Sequence, residues 1–328
     1  MAARRMLLIA CGVVCLGVQF GHAQEQKRLP RVGVLFANPA AASRNVFTAF
    51  TEAMRELGLV DGKTVNIIVR YGDGSVDQVH AQAMELVREK VDVFVTSSGR
   101  PTEAAKRAAP DTPIVCAECG DLITSGFAKS LARPGGNITG MSIMSHELNQ
   151  KRIQFLMEIV PKLRRVAILS SPEIAKTNAM QVTEIEQIGG KLGIQTRTFM
   201  NAGPGSFDEL RSQLRSWRAD GVLLMATPAN SLHAKALSDL AVGLKLPLVG
   251  AGVSIVEAGA LIGYAPYRGA NFRRAAYYVD RILKGTKPAD LPIEQPMRFE
   301  LAVNMKTAKA LGIKIPETIL VWTNTVIK

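Results

Sequence analysis

Strand-like apolar runs alternate with helix-like amphipathic runs along most of this chain, and this alternation restricts the possible folds more than any other feature. The pattern begins with the run RVGVLFA (31–37) and a helical segment at 43–58, which starts at Ser43 and ends at Gly58. Short β-branched runs predict buried strands, and apolar residues three and four apart predict helices. Strands and helices in this order form βαβ units, so the sequence predicts a parallel sheet covered by helices.

The alternation is interrupted once, by the segment SLARPGGNITG (130–140). A Pro-Gly-Gly stretch breaks both helices and strands, so this interruption predicts a domain boundary. A second series of strands and helices follows at 149–253, and 328 residues exceed what one hydrophobic core usually serves. Residues 260–328 hold too few elements for a third core. They are therefore expected to complete the two lobes, with the chain crossing between the lobes more than once.

The first 23 residues have the composition of a secretory signal peptide. Arg4 and Arg5 precede an apolar run of 15 residues, and the small residue Ala23 suits cleavage before Gln24. A membrane anchor would need about 20 apolar residues. Too few apolar residues precede Cys11 for a good lipoprotein signal. We therefore expect export to the periplasm, with lipid anchoring as the less favoured alternative.

The charge and the cysteines exclude some classes of function. Removing the signal peptide takes away two arginines and no acidic residue, so the net charge falls from +12 to 12 − 2 = +10. The basic residues are spread along helices without a nucleic-acid-binding motif, so no nucleic-acid partner is expected. Cys116 and Cys119 form a C-x-x-C pair, which occurs in redox sites, zinc sites and small disulfides. Scattered histidines offer no further zinc ligands, so we expect no metal or cofactor and favour a structural or incidental pair.

Three segments resemble one protein family. They are IVCAECGDLITSGFAKSLARPGGNITGMS (114–142), ILKGTKPADLPIE (282–294) and LAVNMKTAKALGIKIPETI (301–319). These segments are similar to ABC-transporter substrate-binding proteins related to the tryptophan-uptake type. Two positions depart from the family pattern: Arg100 stands where the family has Thr, and Leu122 stands where it has Pro.

The resemblance implies an α/β protein of the type I periplasmic-binding fold. Such a protein has two doubly wound parallel-sheet lobes, a hinge of three crossovers, and a ligand in the cleft between the lobes. The predicted lobes are 31–141 plus 260–296 and 142–259 plus 297–328. The hinge is expected near 135–142, 256–260 and 296–300.

Candidate ligand-binding residues follow from the rule that ligands bind beyond the carboxyl ends of the strands in open α/β sheets. Helix N-termini at that edge offer free N–H groups to a carboxylate. The candidates are Asn38, Ser43, Ser97, Ser98, Thr102, Asp121, Ser171, Asn178, Thr227, Asn230, Ser254 and Tyr264.

Each candidate also has an ordinary structural interpretation. A serine or asparagine in such a loop is about as often a helix cap as a ligand contact, and Tyr264 can equally be a packed core tyrosine. For a zwitterionic ligand, we expect the carboxylate at Ser43 and at Ser98–Thr102, assisted by Arg100. The ammonium group is then expected at Asp121, although that residue has a turn role as its alternative.

No motif of a hydrolase, metalloprotease, P-loop protein or dinucleotide-binding enzyme is present. We therefore do not expect an enzyme. The sequence predicts a monomeric, exported solute-binding protein that closes on a small ligand, such as an amino acid or another small carboxylate. Its partner is expected to be an ABC permease in the membrane. The alternative is a periplasmic sensor that presents its ligand to a membrane receptor.

Overall fold

The computed structural model describes residues 28–143, 145–172 and 175–328. Their strands form two sheets, one of five strands and one of seven. The predicted signal peptide (1–23) lies outside the described residues. Within the described ranges, none of the helices is both long enough and apolar enough to cross a membrane.

Strands and helices alternate along both halves of the chain. The first half contains β1 (Arg31–Phe36), α1 (Ala40–Glu56), β2 (Asn66–Tyr71), α2 (Val76–Arg88), β3 (Val93–Thr96), α3 (Gly99–Ala108), β4 (Ile114–Cys119) and β5 (Ile138–Ser142). The second half begins with α4 (Ser145–Ile159), β6 (Arg165–Ser170), α5 (Ala175–Lys191), β7 (Gln195–Met200), α6 (Phe207–Trp217), β8 (Gly221–Leu224), α7 (Pro228–Leu232), α8 (Ala234–Gly243) and β9 (Leu248–Gly250). It ends with α9 (Val253–Glu257), β10 (Ile262–Pro266), α10 (Arg268–Leu283), β11 (Phe299–Asn304), α11 (Met305–Leu311), α12 (Glu317–Leu320) and β12 (Thr325–Ile327).

The five-stranded sheet is parallel throughout, with the strand order β2-β1-β3-β4-β5. Successive residues of a strand point to opposite faces, and each face of this sheet has its own core. Phe36 packs with residues of α1 and α10, such as Phe50 and Phe272. Its neighbour Leu35 packs on the other face with residues of α2 and α3. This confirms the predicted doubly wound lobe.

The seven-stranded sheet has the order β12-β11-β10-β9-β8-β6-β7. Ile168 faces a core that includes residues of α4, α5 and α11, and its neighbour Leu169 faces a core built from α6, α8 and α9. The sheet is parallel except at β10 and β11, which pair antiparallel. This exception arises because the chain leaves the sheet after β10 and re-enters it in the opposite direction.

Strand β10 does not belong to the lobe in which the sequence analysis placed it. Residues 260–266 were assigned to the first lobe, but Ile262–Pro266 pairs with β9 and β11 in the seven-stranded sheet. The crossover therefore follows Pro266 and does not lie at 256–260. An apolar run identifies a strand but not its neighbours, because pairing depends on residues far away in the sequence.

The Pro-Gly-Gly segment also lies within one lobe, because β5 follows it and pairs with β4. The first crossover comes one step later, after Ser142. Gly140 in β5 has φ +132°, and a Cβ there would lie 2.1 Å from the carbonyl oxygen of Cys116. This position therefore requires glycine, which explains why Gly140 stands in the middle of β5.

The three crossovers lie side by side. The first follows Ser142, the second follows Pro266, and the third precedes Phe299. The backbone N–H of Ser142 donates to the carbonyl oxygen of Glu294 (2.8 Å), and the N–H of Glu294 donates to Gly140 (3.0 Å). The N–H of Tyr267 donates to the carbonyl of Arg298 (2.8 Å). These bonds join the first crossover to the third and the second to the third.

Candidate functional site

A large cleft lies between the two lobes, with a volume of about 2480 Å³. Its walls come from loops that follow strands of both sheets, together with residues of the crossovers. The order of the smaller sheet reverses between β1 and β3, and that of the larger sheet between β6 and β8. Loops diverge at such switch points and leave a crevice for a ligand. Residues after all four strands line the cleft, which fits a binding site.

Half of the predicted site residues lie on the surface of this cleft. In the first lobe they come from the loops after β1, β3 and β4, and in the second lobe from those after β8 and β9. These residues are Asn38, Ser97, Ser98, Asp121, Thr227 and Ser254. The order of strands and loops in the sequence was therefore sufficient to find this edge of both sheets.

The other predicted residues do not line the cleft. Ser43 is not a helix cap, because α1 already begins at Ala40, and its side chain is buried. The buried hydroxyl of Thr102 lies 2.6 Å from that of Thr96 and donates to the carbonyl of Ser98. Ser171 is buried as well. Asn178 lies in α5, and its side chain is outside the described part of the structure.

Asn230 has a structural role in the second lobe. Its amide nitrogen donates to the carbonyls of Leu169 and Met225, each at 2.9 Å, and its amide oxygen accepts from Asn201. The backbone N–H of Asn230 in turn donates to the hydroxyl of Thr227, which caps α7. The capping interpretation of Thr227 therefore applies even though this residue also lines the cleft.

Asp121 organises its own loop. One carboxylate oxygen accepts from the backbone N–H of Ile123 (2.9 Å) and of Thr124 (3.2 Å), and the other accepts from the Thr124 hydroxyl. Burial raises the pKa of the Asp121 carboxyl, but these hydrogen bonds outweigh it and leave the pKa below its ordinary value. The turn role is thus present, and the expected contact with an ammonium group stays a prediction.

The tyrosine on the cleft is Tyr267 and not the predicted Tyr264. Tyr264 stacks on Phe299 with ring centres 5.8 Å apart and packs edge-on against Phe155, in the core of the second lobe. Tyr267 lines the cleft three residues later, where the chain crosses between the lobes, and Arg298 lies 5.2 Å from its ring centre. Sequence reasoning missed Tyr267 because it placed this crossover elsewhere.

A cluster of three charged side chains lies where the lobes meet the crossovers. Arg268 donates to Glu118 at 2.7 Å, and both line the cleft together with Glu300. Burial raises the pKa of both carboxyls, while Arg268 opposes this effect. Glu118 also raises the pKa of Arg268. With two carboxylates and one guanidinium, the cluster has a formal charge of −2 + 1 = −1, which suits a cationic group.

Arg152 is a further charged group in the cleft that the sequence did not reveal. It lies in α4 and lines the cleft, but only 7% of its surface is exposed. Its Nε and Nη2 donate to the carbonyl of Tyr264 at 2.9 and 2.8 Å, and Nη1 donates to the amide oxygen of Asn149 at 2.7 Å. Burial lowers the pKa of Arg152 to about 10. Within NQKRIQF (149–155), this arginine resembles any basic residue on a helix.

Cys116 and Cys119 form a disulfide, with Cα atoms 5.8 Å apart. The pairing of β4 with β5 shifts register between these two residues. The disulfide therefore spans an irregular strand end, and Glu118 projects from it toward the cleft. Among the described residues, His, Cys, Asp and Glu side chains form no group of three that could hold a metal ion.

Comparison with known proteins identifies the family. The model of the family described as ABC transporter substrate binding protein matches residues 32–327. The chain therefore belongs to the ABC transporter substrate-binding proteins, as its sequence motifs indicated. The family points to a binding role and not to a catalytic one.

One curated relative and two solved structures are similar to this chain. A tyrosine-binding protein from Clostridioides difficile is 22% identical over 81% of this chain and 76% of its own length. An ABC domain from Streptococcus pneumoniae, solved in complex with L-Trp, has a TM-score of 0.83 and 23% identity, and covers 92% of this chain and 100% of its own. A conserved domain protein from Vibrio cholerae also has a TM-score of 0.83, at 22% identity, and covers 91% of this chain and 100% of its own. These structures share the fold of this chain.

Proposed function

We propose that this chain is the exported solute-binding component of an ABC importer and that it binds a small ligand in the interlobe cleft. The observation that carries the proposal is the cleft itself, which lies at the switch points of both sheets and is lined by both lobes. We place an amino acid, or another small carboxylate, in this cleft. The relatives described as tyrosine-binding and as a complex with L-Trp support that class of ligand.

The lining of the cleft fits a ligand with both charged and apolar parts. Arg152 and the Glu118–Arg268–Glu300 cluster supply groups of opposite sign. Ile123, Leu232 and Tyr267 line the same cleft and expose at least two fifths of their surface, with Leu232 at 79%. Apolar side chains left in contact with water favour a ligand with an apolar or aromatic side chain, because covering them is favourable.

Binding proceeds in this proposal by rotation of the lobes about the three crossovers, and no covalent bond changes. The crossovers are short, and backbone hydrogen bonds join them. Short, adjacent connections allow two rigid lobes to close like a hinge. The closed, loaded protein then docks on a permease as a monomer in the periplasm, after the predicted signal peptide has been removed.

A thermal-shift screen of the mature protein tests the proposal. The compounds are the L-amino acids and small aromatic carboxylates, with neutral sugars as the comparison set. A ligand at 100 times its Kd adds about 2.7 kcal/mol to the folded state, which raises the Tm of a chain of this size by roughly 5 °C. Small-angle scattering with the best compound then measures closure. Stabilisation by sugars alone would contradict the proposed ligand class, and an unchanged scattering profile at saturation would contradict closure.

A further inference from the structure

Arg152 is a buried cation without an anionic partner among the described residues. It is 93% buried, since 7% of its surface is exposed, and each of its hydrogen-bond acceptors is neutral. None of the ion pairs formed by described side chains includes it. Buried arginines are normally paired with a carboxylate, because removing an isolated charge from water is costly. The lowered pKa of Arg152 is the expected sign of such an uncompensated charge.

The contacts of Arg152 hold it in place but do not explain its charge. A backbone carbonyl and an amide oxygen require hydrogen-bond donors, which an uncharged side chain also provides. A guanidinium group has five N–H donors. Nε, Nη2 and Nη1 each use one of them on Tyr264 and Asn149. One N–H therefore remains on each terminal nitrogen, and donors on both terminal nitrogens suit the two oxygens of a carboxylate.

The position of Arg152 points to the cleft as the source of the missing anion. Asn149 and Arg152 both line the cleft from helix α4. The carbonyl that holds the guanidinium belongs to Tyr264, near the end of β10. The next residue, Ala265, pairs with Glu300 of β11 and also lines the cleft. Arg152 is thus fixed in the wall of the second lobe, close to the crossovers.

We propose that Arg152 is the anchor for the carboxylate group of the ligand, which it binds through its two remaining N–H donors. This inference rests on the proposed function, because it assigns one end of the ligand in the same cleft. It replaces the helix N-termini at Ser43 and Ser98–Thr102 as the expected carboxylate site. The net negative cluster around Arg268 then receives the amino group of an α-amino acid. In this orientation the carboxylate contacts the second lobe and the amine reaches the crossovers.

The first experiment compares the wild type with Arg152→Met and Arg152→Lys. Arg215→Met is the matched control, because Arg215 is exposed on α6 of the same lobe and does not line the cleft. The probes are L-tryptophan and L-tyrosine together with their amides, which keep the amine and the ring but lose the carboxylate charge. We expect the wild type to bind each acid at least tenfold more tightly than its amide. In Arg152→Met this preference disappears, and Arg152→Lys restores part of it. Equal binding of acid and amide by the wild type would overturn the inference.

The second experiment does not depend on the identity of the ligand. Formate is a carboxylate without a side chain, so it tests the anchor alone. We expect millimolar formate to raise the Tm of the wild type and of Arg215→Met above that in sodium chloride of the same ionic strength. Arg152→Met gains no such stabilisation. Equal stabilisation of Arg152→Met and the wild type by formate, or no stabilisation of the wild type, would overturn the inference.

The two experiments separate this inference from the proposed function. If no amino acid or aromatic carboxylate binds but formate stabilises the wild type through Arg152, an amino-acid ligand is excluded and the anchor stands. If L-tryptophan binds equally well to the wild type and to Arg152→Met, the solute-binding function stands and the anchor fails. Because the formate and amide comparisons use the wild type, they remain informative even if Arg152→Met folds poorly.

Discussion

Replacing Arg268 by methionine is expected to leave Glu118 as an uncompensated buried carboxylate. Arg268 donates to Glu118 at 2.7 Å, and the Glu118 side chain is 10% exposed. Methionine keeps most of the apolar volume of the arginine side chain but removes its charge. Removing one charge of a buried ion pair leaves the other charge buried without a partner. Loss of one partner therefore destabilises the fold more than loss of both.

The magnitude follows from the distance and the exposure of the pair. Two unit charges 2.7 Å apart interact by about 1.5 kcal/mol in water and by about 6 kcal/mol at an effective dielectric constant of 20. The Arg268 side chain is 38% exposed, so solvent screens the interaction and brings its value toward the lower limit. We therefore expect Arg268→Met to reduce the free energy of unfolding by about 2 kcal/mol at neutral pH.

The loss must depend on pH in a defined direction. The pKa of Glu118 is already raised by burial in the wild type, and removal of Arg268 raises it further. An acid with a raised pKa stabilises the fold at low pH, and this stability is lost as the pH rises through the folded-state pKa. Glu300 has a raised pKa as well and faces both members of the pair. The effect of Arg268→Met is therefore smallest near about pH 4 and largest near about pH 8.

Urea unfolding of the ligand-free protein at both pH values measures this effect. Arg281→Met is the control, because Arg281 is exposed on the same helix, α10, and does not line the cleft. The double variant Glu118→Gln/Arg268→Met should regain most of the lost stability. A loss in Arg268→Met that is the same at both pH values, or that the double variant does not relieve, would refute the reasoning.

Three further substitutions and one control test individual contacts. Gly140→Ala should cost about 3 kcal/mol or more in urea unfolding, because its Cβ would clash with the Cys116 carbonyl at a positive φ. Gly136→Ala, which has open space around it, should change stability by less than about 0.5 kcal/mol. Asn230→Ala should cost about 2 kcal/mol in the same assay, since two buried carbonyls lose a donor. Asp121→Asn should lower the Tm, because the carboxylate organises its own turn. Since we place the amine at the Arg268 cluster, the affinity measured by calorimetry should change by less than about tenfold, and a roughly ten- to hundredfold loss would instead place the ammonium group at Asp121.

The sequence was sufficient to predict features that depend on local patterns. The strand RVGVLFA became β1, and a strand followed each of the next two helices, because apolar periodicity identifies local secondary structure. The edge of the sheets that holds the cleft followed from the same pattern. The family motifs agreed with the match over residues 32–327. The assignment of β10 was wrong because a strand's partners are set by contacts distant in the sequence.

The charged groups of the cleft were harder to predict for the same physical reason. Glu118 and Arg268 are 150 positions apart, and Arg152 is 112 positions from the carbonyl that holds it. Each residue alone looks like an ordinary exposed charge on a helix or strand end. Polar loop residues such as Ser43 and Thr102 were predicted as ligand contacts because they follow predicted strands at the edge where ligands bind. In the fold, their side chains are buried against neighbouring elements and do not face the cleft.

The position of the charged cluster connects the proposed ligand binding to the proposed hinge. Glu118 belongs to the smaller sheet, Glu300 lies in β11 of the larger sheet, and Arg268 directly follows the crossover between β10 and α10. In the proposed closure, rotation of the lobes about the crossovers would change the distance between these two carboxylates, which repel each other and both interact with Arg268. A cationic group placed between them would relieve this repulsion in the closed arrangement. In this proposal, closure of the lobes and binding of an amine both depend on the charges of residues that join the lobes.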